Sequence, residues 1–140
     1  YFFSNEKSAL ESAKKEYLKH FNISNNFIFF LHSVSNQEST KLNIHYFKKN
    51  SPADVLTIPL YTNIEDIYKL NEDNEEVLGG LFINRELIKK NAFKYKKTMT
   101  EELQLVLIHG LLHLVGYSHE NEDKLKMTEN KILNKVWENG

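Results

Sequence analysis

The segment "TMTEELQLVLIHGLLHLVG" (98–116) constrains this chain more than any other. From Leu103 to Val115 it is apolar nearly all round, and such a helix belongs in the middle of a domain, not on its surface. Thr100 is a candidate N-cap, Glu101 and Glu102 suit the positive end of the helix dipole, and Gly116 is a natural stop. The rest of the chain must pack around this element. Its second half carries two polar side chains, His109 and His113.

Those histidines are four residues apart, an offset of about 40° and a rise of about 6 Å, so both rings leave one helix face. Gly116 ends the helix and a short turn brings His119 back, giving the pattern H-x-x-x-H-x-x-G-x-x-H. Three imidazoles with a fourth position left for water form the catalytic type of zinc site, whereas structural sites are closed by four protein ligands. A lone histidine on an apolar helix is ordinarily a hydrogen-bonded core residue. Burying three at this spacing without a metal or partners would be costly. His20, His32 and His45 are isolated and read as structural or exposed. Metzincin peptidases share the spacing, but their H-E-x-x-H places a glutamate beside the first histidine as general base. Here that position is Gly110, which has no side chain to move a proton.

The 140 residues suit one domain (1–140), with no repeat, linker or boundary in view. A composition of 41% hydrophobic and 26% charged residues is that of a soluble globular protein, and no run reaches the roughly 18 apolar residues of a membrane span. The absence of cysteine excludes thiolate ligands and disulfide-linked partners, so a metal must be held by His or carboxylate. A net charge of −1 argues against coating nucleic acid by bulk charge. Positive charge is almost wholly lysine, with Arg85 the only arginine, so forked contacts to phosphate are scarce. The opening "YFFSNEKS" does not read as a secretory signal, and the missing initiator Met reads as a processed chain.

Elsewhere, residues 8–20 read as a helix capped by Ser8, 26–34 as a buried strand, and 38–49 as a helix presenting Leu42, His45, Tyr46 and Lys49 on one face. Residues 54–60 are a short strand and 61–76 an acidic surface loop with room for one helical turn. Residues 77–85 return to strand character, with Gly79 and Gly80 marking a bulge or close backbone approach. Residues 86–97 read as a basic helix, and an amphipathic helix within 121–138 ends the chain. In the basic stretch Lys89, Lys90, Lys94, Lys96 and Lys97 alternate with Phe93 and Tyr95, a pattern suited to single-stranded RNA or simply to a solvated face.

The motif "HGLLHLVGYSH" resembles the H-G-x-L-H-L-x-G-Y-D-H pattern of the YbeY family of bacterial ribosomal RNA maturation endoribonucleases. Ser118 stands for its Asp, and Met127 and Glu129 match a downstream Met and Glu. "LNIHYFKKNSPADVLTIP" (42–59) and "LGGLFI" (78–83) are similar to two further signatures, with Phe47 at the family's arginine and Gly80 at its Asp. The resemblance implies an α+β fold, a small mixed β-sheet flanked by helices in a zincin-like arrangement around the metal-binding helix. It also implies one zinc-type ion on His109, His113 and His119, a set of ligands that accepts other first-row divalent metals too, and a cytoplasmic enzyme that cleaves single-stranded RNA. Its partners would be 16S ribosomal RNA and small-subunit proteins, and its role would include ribosome quality control.

In that reading Lys48 is the point charge nearest the missing arginine, and Glu120 either orients a ring or a water or is a solvated surface residue. Asp54 reads as a capping or structural hydrogen-bonding residue before a support for the site, and Ser118 is an outer donor to it. Water and the RNA 2′-OH are both available nucleophiles. A ribosome assembly factor keeping its metal for folding, and a metzincin-like peptidase lacking its base, are the competing classes.

Overall fold

In the computed structural model, which describes residues 2–139, the chain runs α1 (Ser4–Phe21), β1 (Ile28–Ser33), α2 (Asn36–Phe47), β2 (Val55–Pro59), α3 (Ile64–Tyr68), β3 (Val77–Ile83), α4 (Arg85–Lys94), α5 (Met99–Leu114) and α6 (Glu122–Asn139), with a 3₁₀ turn at His119–Asn121. The strands form one mixed sheet of order β1-β3-β2, with β1 parallel and β2 antiparallel to β3. This is an α+β fold. As its all-round apolar sequence requires, α5 is central: it packs against α1, α4, α6 and the sheet, with Leu103, Leu107, Ile108, Leu111 and Leu112 fully buried. No helix among the described residues is long and apolar enough to cross a membrane.

Helix α5 meets the sheet through Gly110. A Cβ there would lie 2.7 Å from Leu81 Cδ2, 3.0 Å from Val55 Cγ2 and 3.2 Å from Thr57 Oγ1. The Thr57 hydroxyl instead donates to the Gly110 carbonyl at 3.0 Å, stitching β2 to the helix one residue beyond His109. On the opposite side the fully buried Tyr17 of α1 donates its hydroxyl to the Leu111 carbonyl at 3.0 Å. The helix bearing the histidines is thus fixed from both sides next to them.

Several local expectations are corrected. Helix α1 begins at Ser4 with Phe3 as N-cap, so Ser8 lies inside it; Glu6 accepts from the Phe3 backbone N–H at 2.9 Å. Thr98, not Thr100, caps α5, because its hydroxyl accepts from Glu101 N while Glu101 reaches back to Thr98 N. Strand β1 is an edge strand, with Phe29 buried and Phe30 49% exposed. The expected helix over 38–49 is α2, whose buried positions are Ser39 and Asn43, bonded to Ala53 O and Ser51 O, while His45 and Tyr46 are exposed. The acidic segment 61–76 contains α3, held by the fully buried Ile67. At Gly79 the expectation holds, for it makes a close approach: a Cβ would lie 2.5 Å from Ile58 O, and the β1–β3 register shifts beside it.

Candidate metal centre

His109 and His113 project from the last turns of α5, half-buried, as the i, i+4 spacing requires. Gly116 then adopts φ +103, which an L side chain rarely tolerates, and its N–H bonds to His113 O. The chain turns through Tyr117 and Ser118 into the 3₁₀ turn, whose first residue is His119. Ser118 Oγ accepts from Glu120 N at 3.4 Å and caps that turn, a task that suits serine and aspartate alike.

The three rings converge. Their centroids are 4.7 Å apart for His109–His113, 4.9 Å for His113–His119 and 5.8 Å for His109–His119. Each ring commits Nδ1 to a neighbour. His109 Nδ1 lies 2.8 Å from Glu129 Oε2, His113 Nδ1 donates to Tyr117 O at 2.8 Å, and His119 Nδ1 bonds to Glu122 Oε1. A neutral imidazole that donates from Nδ1 has a bare lone pair on Nε2. The Nε2 atoms of His113 and His109 lie only 3.1 Å apart. Two lone pairs at that separation repel unless a cation or proton lies between them. One ligand atom from each histidine lies within 4.8 Å of the others, so the group is able to hold a metal ion. The outer carboxylates and carbonyl are those that orient metal-binding imidazoles.

Burial lowers the pKa of His113, and the neighbouring His109 and His119 press it the same way, against the pull of the Tyr117 carbonyl. That keeps the ring in its neutral, ligating form. The hydrogen bond from His119 holds the exposed Glu122 carboxyl below its usual range.

The histidines open onto a cleft of about 540 Å³ bounded by β2 and the C-terminal end of α2. Asp54, Phe47 and Lys49 line it together with the three rings. Lys48 does not: it is the left-handed C-cap of α2 (φ 59), and the cation on the cleft wall is Lys49. Glu120 is exposed in the 3₁₀ turn, and the carboxylate on His119 is Glu122. That partner is visible in sequence only once the turn is known, since the 3₁₀ turn leading into α6 sets residues i and i+3 side by side. Glu129, noted in sequence only as a motif match, is buried and supports His109 from α6. Met127 is exposed, and Gly80 pairs with Phe30 and Ile58 in the sheet without lining the cleft. His20, His32 and His45 stay apart from the centre; His32 stacks on Phe82 at 5.2 Å.

A family model described as Endoribonuclease YbeY matches residues 3–136. Endoribonuclease YbeY of Buchnera aphidicola subsp. Acyrthosiphon pisum is 38% identical over 103 residues, covering 71% of this chain and 62% of that protein. The Thermotoga neapolitana protein of the same name is 40% identical over 91 residues, covering 65% of this chain and 52% of its own length. The chain thus spans about half to three-fifths of the length of these relatives. The solution structure of TM1509 from Thermotoga maritima aligns with a TM-score of 0.60 at 29% identity, covering 95% of this chain and 84% of that one. A match that runs from α1 to the last turns of α6, through the histidine segment, makes this chain a member of the YbeY family.

Proposed function

We propose that this chain is a metal-dependent endoribonuclease that hydrolyses phosphodiesters of single-stranded RNA in the maturation of small-subunit ribosomal RNA, acting in the cytoplasm with zinc as its ion. The observation that carries this reading is the convergence of three histidine rings, each held through Nδ1 by a neighbouring oxygen, beside an open cleft. Family membership supplies the substrate class. When bound, the ion supplies Lewis acidity at the phosphate and makes water acidic near neutral pH.

The chain's own residues do the rest. Glu129, Tyr117 O and Glu122 hold the imidazoles in orientation. Asp54 lines the cleft, and its carboxylate is the general base assigned to the attacking water or 2′-OH. Lys49 offers the cleft a positive charge for the phosphate backbone. A peptidase reading is disfavoured by more than the lack of a glutamate, because position 110 faces the sheet and has no room for a side chain.

The test is incubation of metal-loaded protein, prepared without an affinity tag, with precursor 16S ribosomal RNA and, separately, with casein. RNA cleavage abolished by His113→Ala and no casein cleavage are expected. Wild-type protein that folds, holds metal and leaves RNA intact would instead make it an assembly factor. Metal analysis of the same preparation tests zinc.

A further inference from the structure

Resting on the endoribonuclease reading, we infer that the β2 side of the cleft is a subsite for one unpaired nucleobase of the RNA strand, with Phe47 as its stacking platform and Lys49 as its phosphate contact. Phe47 is the last residue of α2, 45% exposed, and lines the same cleft as the three histidines. The adjoining wall is apolar, formed by Ala53, Val55, Leu56 and Pro59. Such a surface does not recognise a phosphate, but it fits the π-face and edge of a base. At about 540 Å³ the cleft is in the size range of small-molecule sites.

The charge inventory points the same way. The only arginine, Arg85, is committed to Glu6 by two hydrogen bonds from its guanidinium and does not line the cleft. Lys49 is the one cation on the cleft wall, and it forms no salt bridge among the described residues. A single flexible ammonium neutralises one phosphate but gives no forked geometry. Specificity at this wall must therefore come from stacking, which selects unpaired bases because a paired base keeps its faces within the duplex.

The subsite is pre-organised. Lys48 reverses the chain in the left-handed region, and its N–H and that of Lys49 bond to Ile44 O and Asn43 O. Asn43, buried, donates to Ser51 O at 2.8 Å and ties down the loop that follows. Phe47 and Lys49 are thus held on either side of a fixed turn.

The experiment uses the metal-loaded 140-residue chain and three probes: a short unpaired RNA, its duplex, and a nucleoside monophosphate. In Phe47→Trp, the new indole should be quenched by the unpaired RNA and not by the duplex; Trp137, which does not line the cleft, gives the parent's background. Phe47→Leu should weaken binding of the unpaired RNA about tenfold without altering its salt dependence. Lys49→Gln should reduce the slope of log affinity against log salt by about 0.7. Unchanged RNA affinity in Phe47→Leu, or an unquenched Trp at 47, overturns the subsite, as does a nucleoside monophosphate whose binding is the same in Phe47→Leu and the parent. If Phe47→Leu binds and cleaves like the parent while His113→Ala does not cleave, the nuclease reading survives and the subsite fails. If the Trp is quenched but no variant or parent cleaves RNA, the subsite stands and the nuclease reading fails.

Discussion

Single atoms decide what the histidines can do. Glu129 is buried on α6 and has one visible task, to accept from His109 Nδ1. Glu129→Gln keeps a hydrogen-bond acceptor but removes the negative charge behind the ring, and metal affinity should fall about 10- to 100-fold. Competition with a chromophoric chelator measures this, and an unchanged affinity would remove Glu129 from the centre. Glu102, two turns before His109 on α5, is 4% exposed, and its Oε2 is buried without a hydrogen-bond partner. Burial pushes its pKa above its ordinary value of 4.5, against the pull of Lys97, with Asp54 and Glu129 pushing further. Between that ordinary value and the raised one the folded state holds more protons than the unfolded state, so stability falls as pH rises through this window. Glu102→Met should therefore stabilise the protein by about 1 kcal/mol or more at pH 7, and by less below pH ~4.5. Melting curves across that range read the difference directly.

At the level of elements, α5 and the sheet act as one rigid support. Gly110 was legible in sequence as the absence of a peptidase base. That it is also a contact surface was not, because the partners Leu81, Val55 and Thr57 come from two strands distant in sequence. Gly110→Ala should cost about 1–3 kcal/mol through overpacking, even though alanine is the better helix former. Because the displaced residue lies beside His109, metal affinity should drop together with the melting temperature. A variant that melts lower but binds metal normally would show that α5 yields without moving its rings. The same limit applies to α2. Its sequence puts Leu42, His45, Tyr46 and Lys49 on one face without saying what holds the helix; it is held by polar bonds from Ser39 and Asn43 to the following loop, and its aromatics are left at the cleft and in solvent. Hydrophobic periodicity cannot foresee a helix docked by side-chain hydrogen bonds.

Across the whole molecule, the start of α1 is fastened to the start of α4 by Arg85 and the 3%-exposed Glu6. Burial raises the Glu6 pKa, but hydrogen bonds from Arg85 and the Phe3 backbone outweigh it and leave the carboxyl below its ordinary 4.5. This contribution to stability is present above pH 4.5 and is lost as pH falls through the lowered value. Arg85→Ala strands a buried carboxylate and should cost about 2–3 kcal/mol at pH 7, with the penalty shrinking on acidification. Melts of parent and variant between pH 7 and pH 3, bounds chosen to bracket ~4.5, check it. A penalty independent of pH would mean the arginine contributes only packing.

The sequence by itself determined the central helix, the glycine stop and the spacing of the three histidines. Those features are written in local periodicity and spacing, which obey the geometry of a single helix and turn. Only the tertiary structure decided which carboxylates face the rings, that Lys49 and not Lys48 reaches the cleft, and that Phe47 forms part of its wall. Those outcomes depend on how α2, β2 and α6 dock against α5, and docking is set by contacts between residues that no local pattern relates.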